Sequence, residues 1–211
     1  MGIKLFISDH DGTIVKSQGM YHDCIQKIFH EDGKEPPPFS KFMNDVTQYG
    51  IEGFYKKYKI SFPQKTIGKM EQKYVYEHIN ELQIPSDVVT FFAICRSLGI
   101  KTVILSFNNI HTIEKVLRRR RIRVDQIVST RNKTEGILAL MELYKAAPDE
   151  TMFVADTAYD ILAGNRAGVK TIGICGGYHS FRKLAAAKPD YGGKQKISSF
   201  QEIQKVVINN R

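Results

Sequence analysis

The 211-residue chain is 42% hydrophobic and 25% charged, the balance of a folded globular protein and not of a disordered one. No apolar run of about 18 residues occurs, so no membrane span is expected, and the stretch after Met1, broken by Lys4, is too short for a signal peptide. The net charge of +9 is concentrated in two segments: residues 114–133 hold eight Lys/Arg against two acids, and residues 180–211 seven against two.

The first predicted element is a buried strand over Ile3–Ser8 that ends in Asp9-His10-Asp11-Gly12-Thr13. A short apolar run closed by acids reads as a strand delivering its C-terminal end to a site, and open α/β sheets bind ligands beyond those ends. If the backbone stays extended, Asp9 and Asp11 point the same way and His10 points away from both. One carboxylate could then attack while the other moves protons, and His10 has no expected role. Asp-Gly is also a common turn pair, so the stretch alone leaves both readings open.

Residues 14–85 lack alternating strands and read as a small helical domain inserted after the first strand, with helices over Tyr21–Glu31, Ser40–Val46, Ile51–Tyr58 and Pro63–Leu82. Pro36-Pro37-Pro38, Gly33 and Gly50 separate them. The aromatics of this region are expected to form its core.

From Ser86 onward strands and helices alternate. A helix with Ser86 as N-cap and Gly99 as stop precedes a strand over Lys101–Ser106, a helix over Ile110–Arg119 and a short strand over Val124–Val128. A helix over Thr134–Tyr144 follows, with Leu138, Leu140 and Met141 on its apolar side. Next come a strand over Thr151–Ala155, a helix over Thr157–Ala167 that stops at Gly168, a strand over Lys170–Ile174, the flexible turn Gly176-Gly177 and a closing helix over Ser198–Ile208. This is the α/β signature: a Rossmann-like, mostly parallel sheet flanked by helices. The expected organisation is a core of residues 1–13 and 86–211 with an α-helical cap of residues 14–85. Cys24, Cys95 and Cys175 are sparse and odd in number, which gives no disulfide framework and no metal-ligand spacing. A cytoplasmic location is expected.

In a parallel sheet four polar strand ends meet at one edge: Asp9 with Asp11, Ser106, the Arg131-Asn132-Lys133 loop, and Asp156 with Asp160. Taken singly, Ser106 and Asp156 could be helix caps and Lys133 a solvated lysine. Acids this close repel unless a cation lies between them, and few carboxylates with several waters suit Mg²⁺. Ser106 could donate to a phosphate oxygen, Lys133 could neutralise one as a point charge, and amides around Gly12 could supply further donors.

These residues resemble the motifs of the haloacid dehalogenase superfamily, in its phosphatase form. Asp9-His10-Asp11-Gly12-Thr13 is similar to the first motif, Ile104-Leu105-Ser106 to the second, Lys133 to the third, and Val154-Ala155-Asp156-Thr157-Ala158-Tyr159-Asp160 to the fourth. Ala163-Gly164-Asn165-Arg166-Ala167-Gly168-Val169 and Gly173-Ile174-Cys175-Gly176-Gly177-Tyr178 resemble the phosphoglycolate phosphatase-like branch. Ala155 stands where glycine is frequent, and Thr134 follows Lys133 where proline is frequent. The helical insert sits where the family's type 1 caps sit.

The resemblance implies an HAD-like core and a Mg²⁺-dependent phosphatase that works on a small phosphorylated metabolite. Asp9 would be the nucleophile and Asp11 the acid, then base; Ser106 and Lys133 complete the catalytic set. The expected phosphate-binding set is Ser106, Asn108, Lys133 and Gly12, and the expected metal set Asp9, Asp11, Asp156 and Asp160. Arg131 competes with Lys133 for the third-motif role. Two alternatives remain. One is a phosphoryl transferase or mutase of the same fold. The other is a non-catalytic protein that binds nucleic acid or a protein through basic surfaces such as Arg118–Arg121. No nucleic-acid motif and no interleaved aromatics accompany that run, and basic residues closing a helix are also explained by the helix dipole.

Overall fold

A computed structural model describes residues 2–210. The apolar runs form a five-stranded sheet of β1 (Leu5–Ser8), β2 (Lys101–Ser106), β3 (Gln126–Ser129), β4 (Thr151–Ala155) and β5 (Lys170–Gly173). The strand order is β3-β2-β1-β4-β5, and every neighbouring pair is parallel. Ser8 is in register with Ile104 on one side and Val154 on the other. The chain therefore leaves β1, β2 and β4 at the same edge.

Both faces of this sheet must be covered, because continuous apolar strands present side chains to both sides. On one face Leu5, Ile7, Val103, Leu105, Phe153 and Ala155 pack against Ile137, Leu140 and Met141 of helix α6 (Lys133–Tyr144) and Ile161 and Ala167 of α7 (Ala158–Ala167). On the other, Phe6 meets Phe91 at 4.7 Å between ring centroids, and Phe91 meets Phe200 at 5.2 Å. These two rings come from α4 (Ser86–Ser97) and α9 (Phe200–Asn209). The remaining helices of this unit are α5 (Ile110–Arg119) and α8 (Phe181–Ala186). The chain divides into this sheet unit, which runs up to Lys16 and resumes at Gln83, and a helical unit over Ser17–Leu82.

The helical unit holds α1 (Gln18–Glu31), α2 (Phe39–Lys57) and α3 (Gln64–His78). Its core is aromatic: the Phe54 ring lies 5.8 Å from Phe29, 5.7 Å from Phe42 and 4.8 Å from Tyr58. Gly50, expected as a stop, breaks α2 internally with φ 69° and ψ 171°, so two helical segments meet at a kink.

Several local expectations are corrected. Pro85, not Ser86, is the residue before α4, in keeping with the extended backbone its ring favours. Asp87 instead accepts the Phe200 amide at 2.7 Å, tying α4 to the start of α9. Leu138 is 47% exposed, whereas Ile137, Leu140 and Met141 are buried. The buried set follows the i, i+3, i+4 spacing of a helix face, and Leu138 falls outside it. Thr157, and not Asp156, caps α7 by accepting the Asp160 amide. α8 had no expected counterpart, since its six residues are too few for a periodic signal. Arg118, Arg119 and Arg121 are exposed beyond or at the end of α5, in the connection that feeds the N-terminal end of β3, the edge opposite Asp9. Among the described residues no helix is long and apolar enough to cross a membrane.

The burial contrast along α6 is testable. Ile137→Ala is expected to lower unfolding free energy by about 2–4 kcal/mol, as buried large-to-small changes do. Leu138→Ala should change it by less than about 1 kcal/mol. Urea denaturation of the two variants measures both.

Candidate active site

Asp9 leaves the central strand with its amide still donating to the Val154 carbonyl at 3.0 Å, so its backbone is an extension of the sheet. The chain then turns. The carbonyl of His10 accepts the amides of Thr13, Ile14 and Val15, and the Gly12 amide donates back to Val15. The expected extended triplet is therefore not formed, and the His10 side chain does not point away from Asp11. Its Nδ1 lies 3.1 Å from Asp11 Oδ2.

Lys133 is the first residue of α6 and is 4% exposed. Its ammonium donates to Asp9 Oδ1 at 2.7 Å and pairs with Asp160 Oδ2 at 2.9 Å. Arg131, two residues earlier, is exposed. The structure thus brings Lys133, not Arg131, to the acids. Asp160 is held by its own helix start, because Thr157 Oγ1 donates to Oδ2 at 2.9 Å.

Asp156 is fully buried after β4. Thr13 Oγ1 donates to its Oδ1 at 3.1 Å, and the Tyr178 amide donates to its Oδ2 at 2.7 Å. Two glycines make room for this carboxylate. A Cβ on Gly12 would lie 2.1 Å from Oδ2, and one on Gly177 2.0 Å. Gly12 also has φ +77°, a conformation that only glycine adopts without strain.

Ser106 ends β2, is 2% exposed, and its Oγ accepts the Asn108 amide at 3.1 Å. The Asn108 side chain donates from Nδ2 to Asp11 Oδ2 at 3.1 Å. Hence Asp9, Lys133, Asp156 and Asp160 form one buried cluster, while Asp11, His10, Asn108 and Ser106 form a chain of contacts beside it.

The cluster carries more negative than positive charge. Burial is the main reason that the Asp9 carboxyl is pushed up to about 6, with Asp160 and Asp11 adding to it and Lys133 opposing. Burial, then repulsion from Asp9, raises Asp156 well above the usual carboxylate range. Burial also works against the charge on Lys133, but Asp160 and Asp9 outweigh it and hold its pKa above the usual value. Among the described residues no group of three or more acid, histidine or cysteine side chains is set to enclose a metal ion by itself. Asp160 is engaged by Lys133 and Thr157, and Asp11 by His10 and Asn108.

Thr13, Thr157, Tyr178 and Gly177 have functional contacts that the sequence reading did not assign. Gly177 was read as part of a flexible turn; its need for close approach to Asp156 is visible only once the two segments meet. His179 is a further omission. Its Nδ1 accepts the Ala158 amide at 2.9 Å at the start of α7. Burial and Lys183 lower its pKa to about 4, which keeps that acceptor available at neutral pH.

Comparison with known proteins agrees with this geometry. Residues 3–168 match the haloacid dehalogenase-like hydrolase family. The chain belongs to that family of hydrolases. It is 23% identical to the pyrophosphatase PpaX of Anoxybacillus flavithermus over 202 residues, covering 90% of this chain and 92% of the relative. A predicted phosphatase from Clostridium acetobutylicum superposes with a TM-score of 0.82 at 16% identity, covering 99% of this chain and 100% of that one. A predicted phosphoglycolate phosphatase from Haemophilus somnus superposes with a TM-score of 0.80 at 17% identity, covering 97% of each chain.

Gly177→Ala tests the close approach. The added methyl must displace Asp156, and a misplacement of about 1 Å at a reacting centre costs on the order of a hundredfold in rate. A loss of at least about tenfold in phosphatase kcat is expected, with Ala substitution at the open position Gly68 as the neutral comparison.

Proposed function

We propose that the protein is a Mg²⁺-dependent phosphatase that hydrolyses a small phosphorylated metabolite through an aspartyl-phosphate on Asp9. The observation that carries this reading is the buried Asp9 carboxylate at the end of the central strand, held through one oxygen by Lys133 and adjacent in the sheet to the strand that ends at Asp156. The donor chemistry fits Mg²⁺, a hard cation that takes few protein carboxylates and keeps several waters. Asp9 and Asp156 are the direct candidates; Asp160 and Asp11 would act from further out. When bound, Mg²⁺ offsets the negative charge between these carboxylates and an incoming phosphoryl group.

Lys133 holds Oδ1 of Asp9, which leaves Oδ2 to attack phosphorus in line. The phosphorus–oxygen bond to the leaving group breaks, and Asp11 passes its proton to that oxygen. Asp11 then takes a proton from water as the water attacks the aspartyl-phosphate, which releases inorganic phosphate and restores Asp9. Ser106 and the Lys133 ammonium bind the phosphoryl oxygens, with Asn108 and the Gly12 amide completing that set. The helical unit over Ser17–Leu82 is assigned to substrate selection as a cap.

The PpaX relatives favour a second substrate, inorganic pyrophosphate, whose cleavage uses the same steps with phosphate as the leaving group. The N-terminal-edge position of the Arg118–Arg121 segment keeps the nucleic-acid reading separate from this chemistry. A panel of nucleotides, sugar phosphates, phosphoglycolate and pyrophosphate, scored for released and for transferred phosphate, separates these substrates and distinguishes a phosphatase from a mutase.

Asp9→Asn should lower hydrolysis of para-nitrophenyl phosphate by at least about a thousandfold, about 4 kcal/mol of transition-state stabilisation. Turnover retained in that variant would remove Asp9 as nucleophile. A second expectation concerns pH. A carboxyl whose folded pKa lies above its unfolded value binds more protons in the folded state, so its contribution to stability falls as pH rises from about 4 to about 6. A bound cation relieves that cost where Asp9 is ionised. Mg²⁺ at ten times its Kd should therefore add about 1.4 kcal/mol, about 3–5 °C in Tm, at pH 7.5. At pH 5 the same concentration should add less. Differential scanning fluorimetry at the two pH values measures this, and an equal or larger shift at pH 5 would contradict it.

A further inference from the structure

We infer that His10 is a positioning residue that orients the Asp11 carboxylate. The inference rests on the proposed role of Asp11 as acid and base, and extends it to a side chain that role does not include. His10 is fully buried. Its Nδ1 is 3.1 Å from Asp11 Oδ2, and Asn108 Nδ2 is also 3.1 Å from that oxygen. Asn108 Nδ2 already donates to Oδ2, which makes that oxygen the accepting one, and the imidazole tautomer protonated on Nδ1 donates to it as well. Among the described residues His10 Nε2 is buried with no hydrogen-bond partner.

An unpartnered buried nitrogen is unfavourable, and a phenyl ring would occupy similar space without one. What the imidazole does at Nδ1 is the compensation. The His10 carbonyl fixes the backbone from which the ring projects by accepting three amides, and full burial of the ring restrains its rotation. Two N–H donors aimed at Oδ2 from different segments hold the Asp11 carboxyl in one orientation. His10 and Asn108 thus fix the direction in which the Asp11 carboxyl faces.

The test uses leaving-group dependence. An alkyl phosphate needs a proton on its departing oxygen, whereas para-nitrophenolate leaves without one, so loss of a correctly placed acid affects kcat/KM for the first far more than for the second. His10→Phe keeps a flat ring, somewhat larger than imidazole, and removes the donor. His10→Asn places an amide N–H near the position of Nδ1. For His10→Phe, kcat/KM for an alkyl phosphate should fall about tenfold, within the hundredfold or more that general acid catalysis supplies, while the aryl value stays within about threefold. His10→Asn should restore most of the loss. His10→Leu, nearer to imidazole in volume, repeats the test should the larger phenyl ring not pack.

Asp11→Asn is measured alongside. If it too leaves the alkyl-to-aryl ratio at the wild-type value, the acid role of Asp11 is wrong. If it shifts the ratio but neither His10→Phe nor His10→Leu does, or if these lower both substrates equally, the positioning role of His10 is overturned and the Asp11 reading stands.

Discussion

The site depends on a single buried cation. The Lys133 ammonium lies between Asp9 and Asp160, all three nearly excluded from solvent, with Asp156 also buried in the same cluster. Charges are not held in such a place unless they are paired, and one lysine cannot neutralise three carboxylates. Removing one partner of a buried pair typically costs about 3–5 kcal/mol, so Lys133 is needed for the fold of this edge as well as for its chemistry. Burial and the mutual repulsion of these carboxylates raise the pKa values of Asp9 and Asp156. The residual negative charge raises the energy of the resting site in a way that a divalent cation and a phosphoryl group together would relieve.

That constraint propagates outward. Asp156 is fixed by Thr13 from the turn after β1 and by the Tyr178 amide from the segment after β5, and glycines at 12 and 177 let both segments approach. Asp160 is fixed by Thr157, the residue that also caps α7. His179 accepts the next amide of the same helix start. Asp156 is thereby oriented by two remote segments, and Asp160 by its own helix start and by Lys133. This is the supporting shell that a site needs if its geometry is to hold to a fraction of an ångström.

Much of this was legible because it is local. Runs such as Lys101–Ser106 and Thr151–Ala155 coincide with observed strands to the residue, since buried parallel strands are continuous apolar segments with abrupt polar ends. The acids, Ser106 and Lys133 stand out in the sequence because they close apolar strands or open helices, and a parallel sheet brings those points to one edge. What was not legible is non-local or conformational. That Asp87 would accept the amide of Phe200, 113 residues away, leaves no trace in the spacing of either segment. The misjudged Leu138 reflects a narrow margin, as one residue along a helix rotates by about 100° and carries a leucine from core to solvent. His10 was misread for a related reason. The alternation rule holds only while the backbone is extended, and the turn at His10–Val15 begins one residue after the strand's last sheet hydrogen bond.

The strand order explains why the carboxylates fall where they do. From β1 the chain moves outward through β2 to β3, then returns to the other side of β1 for β4 and continues to β5. The reversal lies between β1 and β4, and a crevice opens beyond the carboxyl ends of a parallel sheet at such a switch point. Asp9 and Asp156 are the residues that follow those two strands. Adjacent strands lie about 4.8 Å apart, a spacing at which two carboxylates can share one small cation but cannot pair with each other. Ser106 and Lys133 arrive from β2 and from the helix after β3, on the outward side of the same crevice. Parallel topology thus delivers Asp9, Asp156, Ser106 and Lys133 to one edge with no long loop to order, and the turn after β1 has only to place Asp11.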